Sequence, residues 1–142
     1  MGLDCYIVHG NDREKAFTHE DDPRIKDVTL CGGMLSGDGT DGSFRGKVYE
    51  PLIDELMGDQ YIWHLPDEED AHVTALELKE QADALNEFLL AKCEEEPVMG
   101  LPLDDTIVYQ YKGWEYTYQE VQDLELLLRC ASERGAVMTV WW

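Results

Sequence analysis

Residues 106–117 constrain the fold more than any other stretch. Thr106-Ile-Val-Tyr-Gln-Tyr111 and Trp114-Glu-Tyr-Thr117 each alternate apolar or aromatic residues with polar ones, the period of a strand with one covered face. Only Lys112-Gly113 separates them, so the spacing predicts a tight antiparallel hairpin, although Lys is not the favoured first turn residue. A local hairpin excludes a purely parallel sheet. Thr117 and Glu120 then stand at capping-box spacing and predict a helix directly after the second strand. Val121, Leu124, Leu128 and Ala131 form its inward face. Arg129 and Arg134 complement its dipole, Gly135 suits the C-terminal cap, and residues 136–141 read as a last strand.

The rest of the chain supplies the partners. Residues 3–8 read as a short buried strand ended by the turn His9-Gly-Asn-Asp12. A loop follows to residue 26, and residues 27–31 read as a second strand broken by Gly32-Gly33. Residues 36–46 are glycine-rich and read as a loop. Val48, Leu52, Ile53, Leu56 and Met57 make a helical stripe over 47–57, with Pro51 placing the start near Tyr49 or Glu50. Residues 60–64 read as a strand. Thr74 and Glu77 open the longest helix, lined by Ala75, Leu78, Ala82, Leu85 and Leu89, and Glu94-Glu-Glu96 ends it near Cys93. The expected fold is α+β: a single domain over 1–142, with one mixed β-sheet of about five or six strands covered by three helices.

Charge bounds the function. The 142 residues carry 31 acids against 11 bases, a formal net charge of −20. Such a surface repels nucleic acid and anionic membranes, so direct binding to either is not expected. No stretch is long and apolar enough to span a bilayer, and the N-terminus lacks the pattern of a signal peptide, so the expected location is cytoplasmic. Cys5, Cys31, Cys93 and Cys130 are scattered, which suits reduced, mostly buried thiols, with Cys5 and Cys93 in the core. Cys31 beside two glycines has the setting of a nucleophile, but a structural role is the plainer reading. No cofactor and no metal are expected. Acidity itself has three sources: salt adaptation, ordinary acidity, or mimicry of nucleic acid by a stripe such as Glu80, Asp83, Glu87 and Glu94.

Two places carry potential chemistry. Ser43-Phe-Arg-Gly-Lys47 sets two cations where a glycine loop meets a helix N-terminus, so Ser43, Arg45, Gly46 and Lys47 are candidate anion-binding residues. The loop is no Walker A motif, because Val48 stands where Ser or Thr must hold magnesium. A plainer reading pairs the two cations with nearby acids. The second place is a mixture of His and acids at His19-Glu-Asp-Asp22 and again over His64 to His72, where acids that only stabilise a loop or a helix start outweigh metal ligands. The terminal Val140-Trp-Trp142 either plugs the core or contacts a second copy, which favours a homodimer.

Met1-Gly-Leu-Asp4 and Ser43-Phe-Arg-Gly-Lys-Val-Tyr49 resemble a loose group of small bacterial and phage proteins of unknown function. The resemblance implies no activity and draws interest to Arg45 and Lys47. The reading that results is a small non-enzymatic binding or interaction protein, taking a protein partner or a small anion at the glycine-rich loop. The alternatives are a small enzyme using that loop for an anionic substrate, and an acidic nucleic-acid mimic.

Overall fold

The computed structural model describes residues 4–12, 14–18, 20–26, 28, 30, 43–44, 46–57, 72–94 and 105–141. Within them the chain is α+β, as expected. Strand β1 is Asp4–Val8 and β2 is Ser43–Phe44. Helices α1 (Gly46–Met57) and α2 (Ala75–Glu94) follow. Strands β3 (Ile107–Tyr111) and β4 (Trp114–Thr117) run straight into α3 (Tyr118–Glu133), and β5 is Val137–Trp141.

The expected single mixed sheet gives way to two antiparallel ones. The first has the order β2-β1-β5, and the second is the β3-β4 hairpin alone. The core of the first is β1 against β5, in register from Asp4 opposite Trp141 to Val8 opposite Val137. Two isolated bridges extend it. Val73 bonds Met138 beyond β5, with N–H···O distances of 2.8 and 3.0 Å, while β2 and then Ala16 lie along β1. Among the described residues the hairpin pairs with neither side of that sheet, and Thr117 at the end of β4 caps α3 directly. It attaches through side chains instead. Tyr116 and Val108 are buried in the same cluster as Ile7, Leu52, Leu85 and Leu128.

Helix packing follows the apolar spacing. Leu78, Ala82, Leu85 and Leu89 of α2 are buried, as are Val121, Leu124, Leu128 and Ala131 of α3, and these two helices form the main helix pair. Arg129 Nη2 ties them at the surface through Asp83 Oδ1 at 3.0 Å. The Thr74–Glu77 box is complete: Glu77 N–H donates to Thr74 Oγ1 (3.2 Å), and Thr74 N–H donates to Glu77 Oε1 (3.1 Å). At the other end of α3, Ala136 N–H donates to Ala131 O and Gly135 N–H to Ser132 O, with Gly135 at φ +71°. These paired bonds form a Schellman cap, and the left-handed conformation at Gly135 suits a residue without Cβ.

Several local expectations are corrected. Helix α1 starts at Gly46, not near Tyr49, so Pro51 lies inside it and removes one backbone bond. Burial of Tyr49, Leu52 and Ile53 on the core offsets that loss. Ser43 and Phe44, read as loop, pair with Tyr6 and Cys5. Val28 and Leu30 are buried but lie in no strand; the other residues of 27–31, and the strand expected over 60–64, fall outside the described residues. Cys93 is exposed, because it sits in the last turn of α2 beyond the packed face, while Cys5 and Cys130 are buried.

Candidate functional site

The hairpin builds the most distinctive surface. Side chains alternate along a strand, so Tyr109 and Tyr111 share one face of β3, and Trp114 and Tyr116 share the same face of β4. Register places Tyr111 opposite Trp114 and Tyr109 opposite Tyr116, giving a block of four aromatic rings. A bulge between Ile107 and Tyr109 lets Val108 turn inward while keeping Tyr109 on that face. The block is graded in depth: Tyr116 is 1% exposed, whereas Trp114 and Tyr111 at the tip are 39% and 42% exposed. Tyr116 is braced by the rings of Tyr109 at 5.5 Å, Tyr49 of α1 at 6.2 Å and Trp114 at 6.4 Å. These are the separations of tilted and edge-on aromatic pairs.

Helix α1 forms the facing wall. Glu50, Pro51 and Asp54, with Tyr111, Lys112, Trp114 and Tyr116, enclose a groove of about 350 Å³. Glu50 and Asp54 are one turn apart and so share a helix face. Burial, then Glu55, Tyr111 and Asp54, push the Tyr109 phenol above its ordinary range. The α1 carboxylates are thus felt by the rings.

Lys112 and Gly113 close the hairpin with φ of +47° and +84°. Two left-handed residues are what a two-residue turn of this twist requires. Lys112 is the one non-glycine residue with positive φ among the described residues, at a position where Asn, Asp or Gly is favoured. Its Nζ lies 5.4 Å from the centre of the Tyr111 ring, within cation–π range.

Behind the groove sits Glu120. Its N–H donates to Thr117 Oγ1 at 3.1 Å, so half of the expected second capping box forms. The carboxyl lies within the influence of two donors, the Tyr49 hydroxyl and the Trp114 indole N–H, which favour its charged form. Oε1 is buried without a partner. Burial raises the Glu120 pKa above its ordinary value; the two donors oppose that shift and nearby Asp123 adds to it.

The sites expected from the sequence fare differently. Gly46 and Lys47 are the first residues of α1 and Ser43 pairs with Tyr6 in β2, so the loop does lead into a helix N-terminus; Arg45 lies outside the described residues. In the first His–acid group His19 lies outside the described residues, and Asp21 and Asp22 are already engaged. Asp21 Oδ2 accepts from Thr18 N–H (3.0 Å) and lies 3.1 Å from His9 Nε2. That His9 contact lacks the alignment of a directed hydrogen bond, since the ring nitrogen has no hydrogen-bond partner. Asp22, 1% exposed, caps the turn Pro23–Ile25, grips Arg24 through both carboxylate oxygens and meets Arg134 Nε at 3.5 Å. The Arg24 guanidinium holds the Asp22 carboxyl well below the usual carboxylate range. Burial, followed by the charge of Asp22, pushes the neighbouring Cys130 thiol up to about 12, which makes it inert. The second His–acid group lies outside the described residues except for half-buried His72, and Cys31 and Trp142 lie outside them too. Among the described residues, no three His, Cys, Asp or Glu side chains are grouped as a metal site would need, and no helix is long and apolar enough to cross a membrane.

The aromatic block matches no sequence motif. Its signal in the sequence is the alternation of Tyr109, Tyr111, Trp114 and Tyr116 about Lys112-Gly113, a pattern that by itself predicts strands and not a groove. No family model matches the chain, and no curated protein or solved structure matches it.

Proposed function

We propose that this chain is a non-enzymatic binding protein that receives a small ligand in the groove between α1 and the β3-β4 hairpin. One observation carries this reading: large aromatic side chains stand exposed at the mouth of a concavity while their neighbours are fixed in the core. Among the described residues, the exposed large apolar side chains are Ile107, Tyr111 and Trp114 on the hairpin and Leu76 and Leu90 on α2, and Tyr111 and Trp114 line the groove. Grouped exposed apolar surface around a cleft marks a binding site more than scattered residues do. Tyr116 and Tyr49 hold the walls rigid, so little ordering is needed when a ligand enters.

Chemical-shift mapping of the ¹⁵N-labelled chain tests this reading. A panel of small cations, anions and neutral solutes should move the amides of residues 50–54 and 109–116 with at least one member. Shifts confined to other parts of the chain, or none at all, would remove the groove as the site.

The loop at Ser43, Arg45, Gly46 and Lys47 supports a second reading, a small anion held at the start of α1. The observation in its favour is that α1 begins at Gly46, so free backbone N–H groups fall beside Lys47. Phosphate should then shift residues 43–49, and the double replacement Arg45→Ala and Lys47→Ala should abolish that response.

A further inference from the structure

We infer that the ligand of the groove is a small organic cation of the alkylated ammonium class, bound with its head against the faces of Tyr111 and Trp114. The inference rests on the groove reading above and adds the chemistry of the occupant.

Three independent features point the same way. The first is the wall itself. Aromatic faces carry partial negative charge and attract cations within about 6 Å of the ring centre. Alkylated ammonium ions suit such walls better than a primary ammonium, because their methyl groups are weakly hydrated and bury favourably on rings. The second is charge. The lining carries the carboxylates of Glu50 and Asp54 and the ammonium of Lys112, beside the phenols of Tyr111 and Tyr116, so acids outnumber bases two to one. The whole chain carries a formal −20, which raises the local concentration of cations and lowers that of anions. The third is that the protein places its own ammonium there. Lys112 Nζ stands over Tyr111, carried by a turn residue whose backbone conformation favours Asn or Gly instead. Lys112 acts as an internal stand-in that an entering cation displaces.

Size selects the source of the cation. A groove of about 350 Å³ is at the small end of ligand pockets and holds one headgroup with a short tail. A free small molecule matches that volume, and a longer chain carrying the same group would lie mostly outside it.

The test compares choline with 3,3-dimethylbutan-1-ol, its uncharged isostere, by calorimetry and by amide shifts on the intact chain. Choline should bind at the groove roughly tenfold or more tightly than the isostere. Tyr111→Leu keeps apolar bulk but removes the ring, and Asp54→Asn removes a carboxylate. Both positions are exposed, so the fold should survive, and a dispersed amide spectrum confirms it. Each should weaken choline several-fold and leave the isostere unchanged. Lys112→Asn should tighten choline, because a competing charge is gone, whereas an anionic ligand would bind more weakly to that variant. Equal binding of choline and isostere in the groove would overturn the cation inference and leave the groove reading standing. Absence of binding by both would overturn the inference, and the mixed panel above then judges the groove separately. A trimethyllysine peptide binding more than about tenfold more tightly than choline would overturn the small-molecule source.

Discussion

Replacing Glu120 with Gln separates the charge of this side chain from its shape. In the native chain the carboxyl lies between α3, Tyr49 and Trp114, with Oε1 buried and unpartnered. Two effects favour the charged form: the donors from Tyr49 and Trp114, and a position in the first turn of α3, worth about 0.3–1 kcal/mol from the helix dipole. Desolvation and the neighbouring Asp123 oppose it, and the net direction is a raised pKa. The folded state therefore prefers the protonated acid more than the unfolded state does. Stability from this preference is fully present below the unfolded pKa of about 4.3, and is lost as pH rises through the higher folded value. Once ionised, Glu120 is an ill-solvated carboxylate in the fold. An unsatisfied buried polar group costs about 1–3 kcal/mol, and the partial exposure of Glu120 puts it at the lower end of that range. Gln keeps an acceptor for Tyr49 and Trp114 without the charge. The expected gain at pH 7 is about 1 kcal/mol, or about 3 °C in Tm. Urea unfolding followed by circular dichroism at pH 7 and again at pH 4 measures it, because the difference from the native chain should shrink at the lower pH. A variant less stable than the native chain at pH 7, or a difference of the same size at both pH values, would refute the assignment.

Other perturbations probe different layers. A Cβ built on Gly10 would lie 2.4 Å from the backbone oxygen of Gly135, which cannot move without disturbing the α3 cap, so Gly10→Ala should cost about 1–3 kcal/mol in urea unfolding. Asp22 has a depressed folded pKa, so its contribution is present above the unfolded pKa of about 3.9 and is lost as pH falls below it; Asp22→Asn should lower stability at pH 7 and flatten the acid limb of the stability curve. Thr74→Ala removes the side-chain half of a complete capping box and should cost about 1 kcal/mol, read from the shift in thermal midpoint. A maleimide should modify exposed Cys93 in the native protein while sparing Cys5 and Cys130, as peptide mapping would show; reaction at Cys130 before Cys93 would contradict its burial beside Asp22.

Features set by neighbours in sequence were legible before the structure, and features set by neighbours in space were not. The hairpin, the box at Thr74 and Glu77, and the glycine cap at Gly135 each depend on a few adjacent residues, and each forms where the spacing placed it. The apolar faces of α2 and α3 also follow directly from period. Strand partnership does not. Whether β4 joins β5 depends on what already occupies the β5 edge, and that occupant is Val73, sixty-five residues before Met138 in the chain. Pro51 fails as a marker of the helix start for the same reason: local chemistry places it in a first turn, but burial of Tyr49, Leu52 and Ile53 outweighs the lost bond. The candidate site combines both kinds of information. Alternation alone puts Tyr109, Tyr111, Trp114 and Tyr116 on one face, yet only the packing of α1 across that face turns a strand pattern into a groove with Glu50 and Asp54 at its wall. Glu120 shows the same logic in reverse. Its sequence position assigns it to the Thr117 cap, and the arrival of Tyr49 and Trp114 draws its carboxyl away, leaving a half-formed cap and a poorly solvated acid directly behind the aromatic wall.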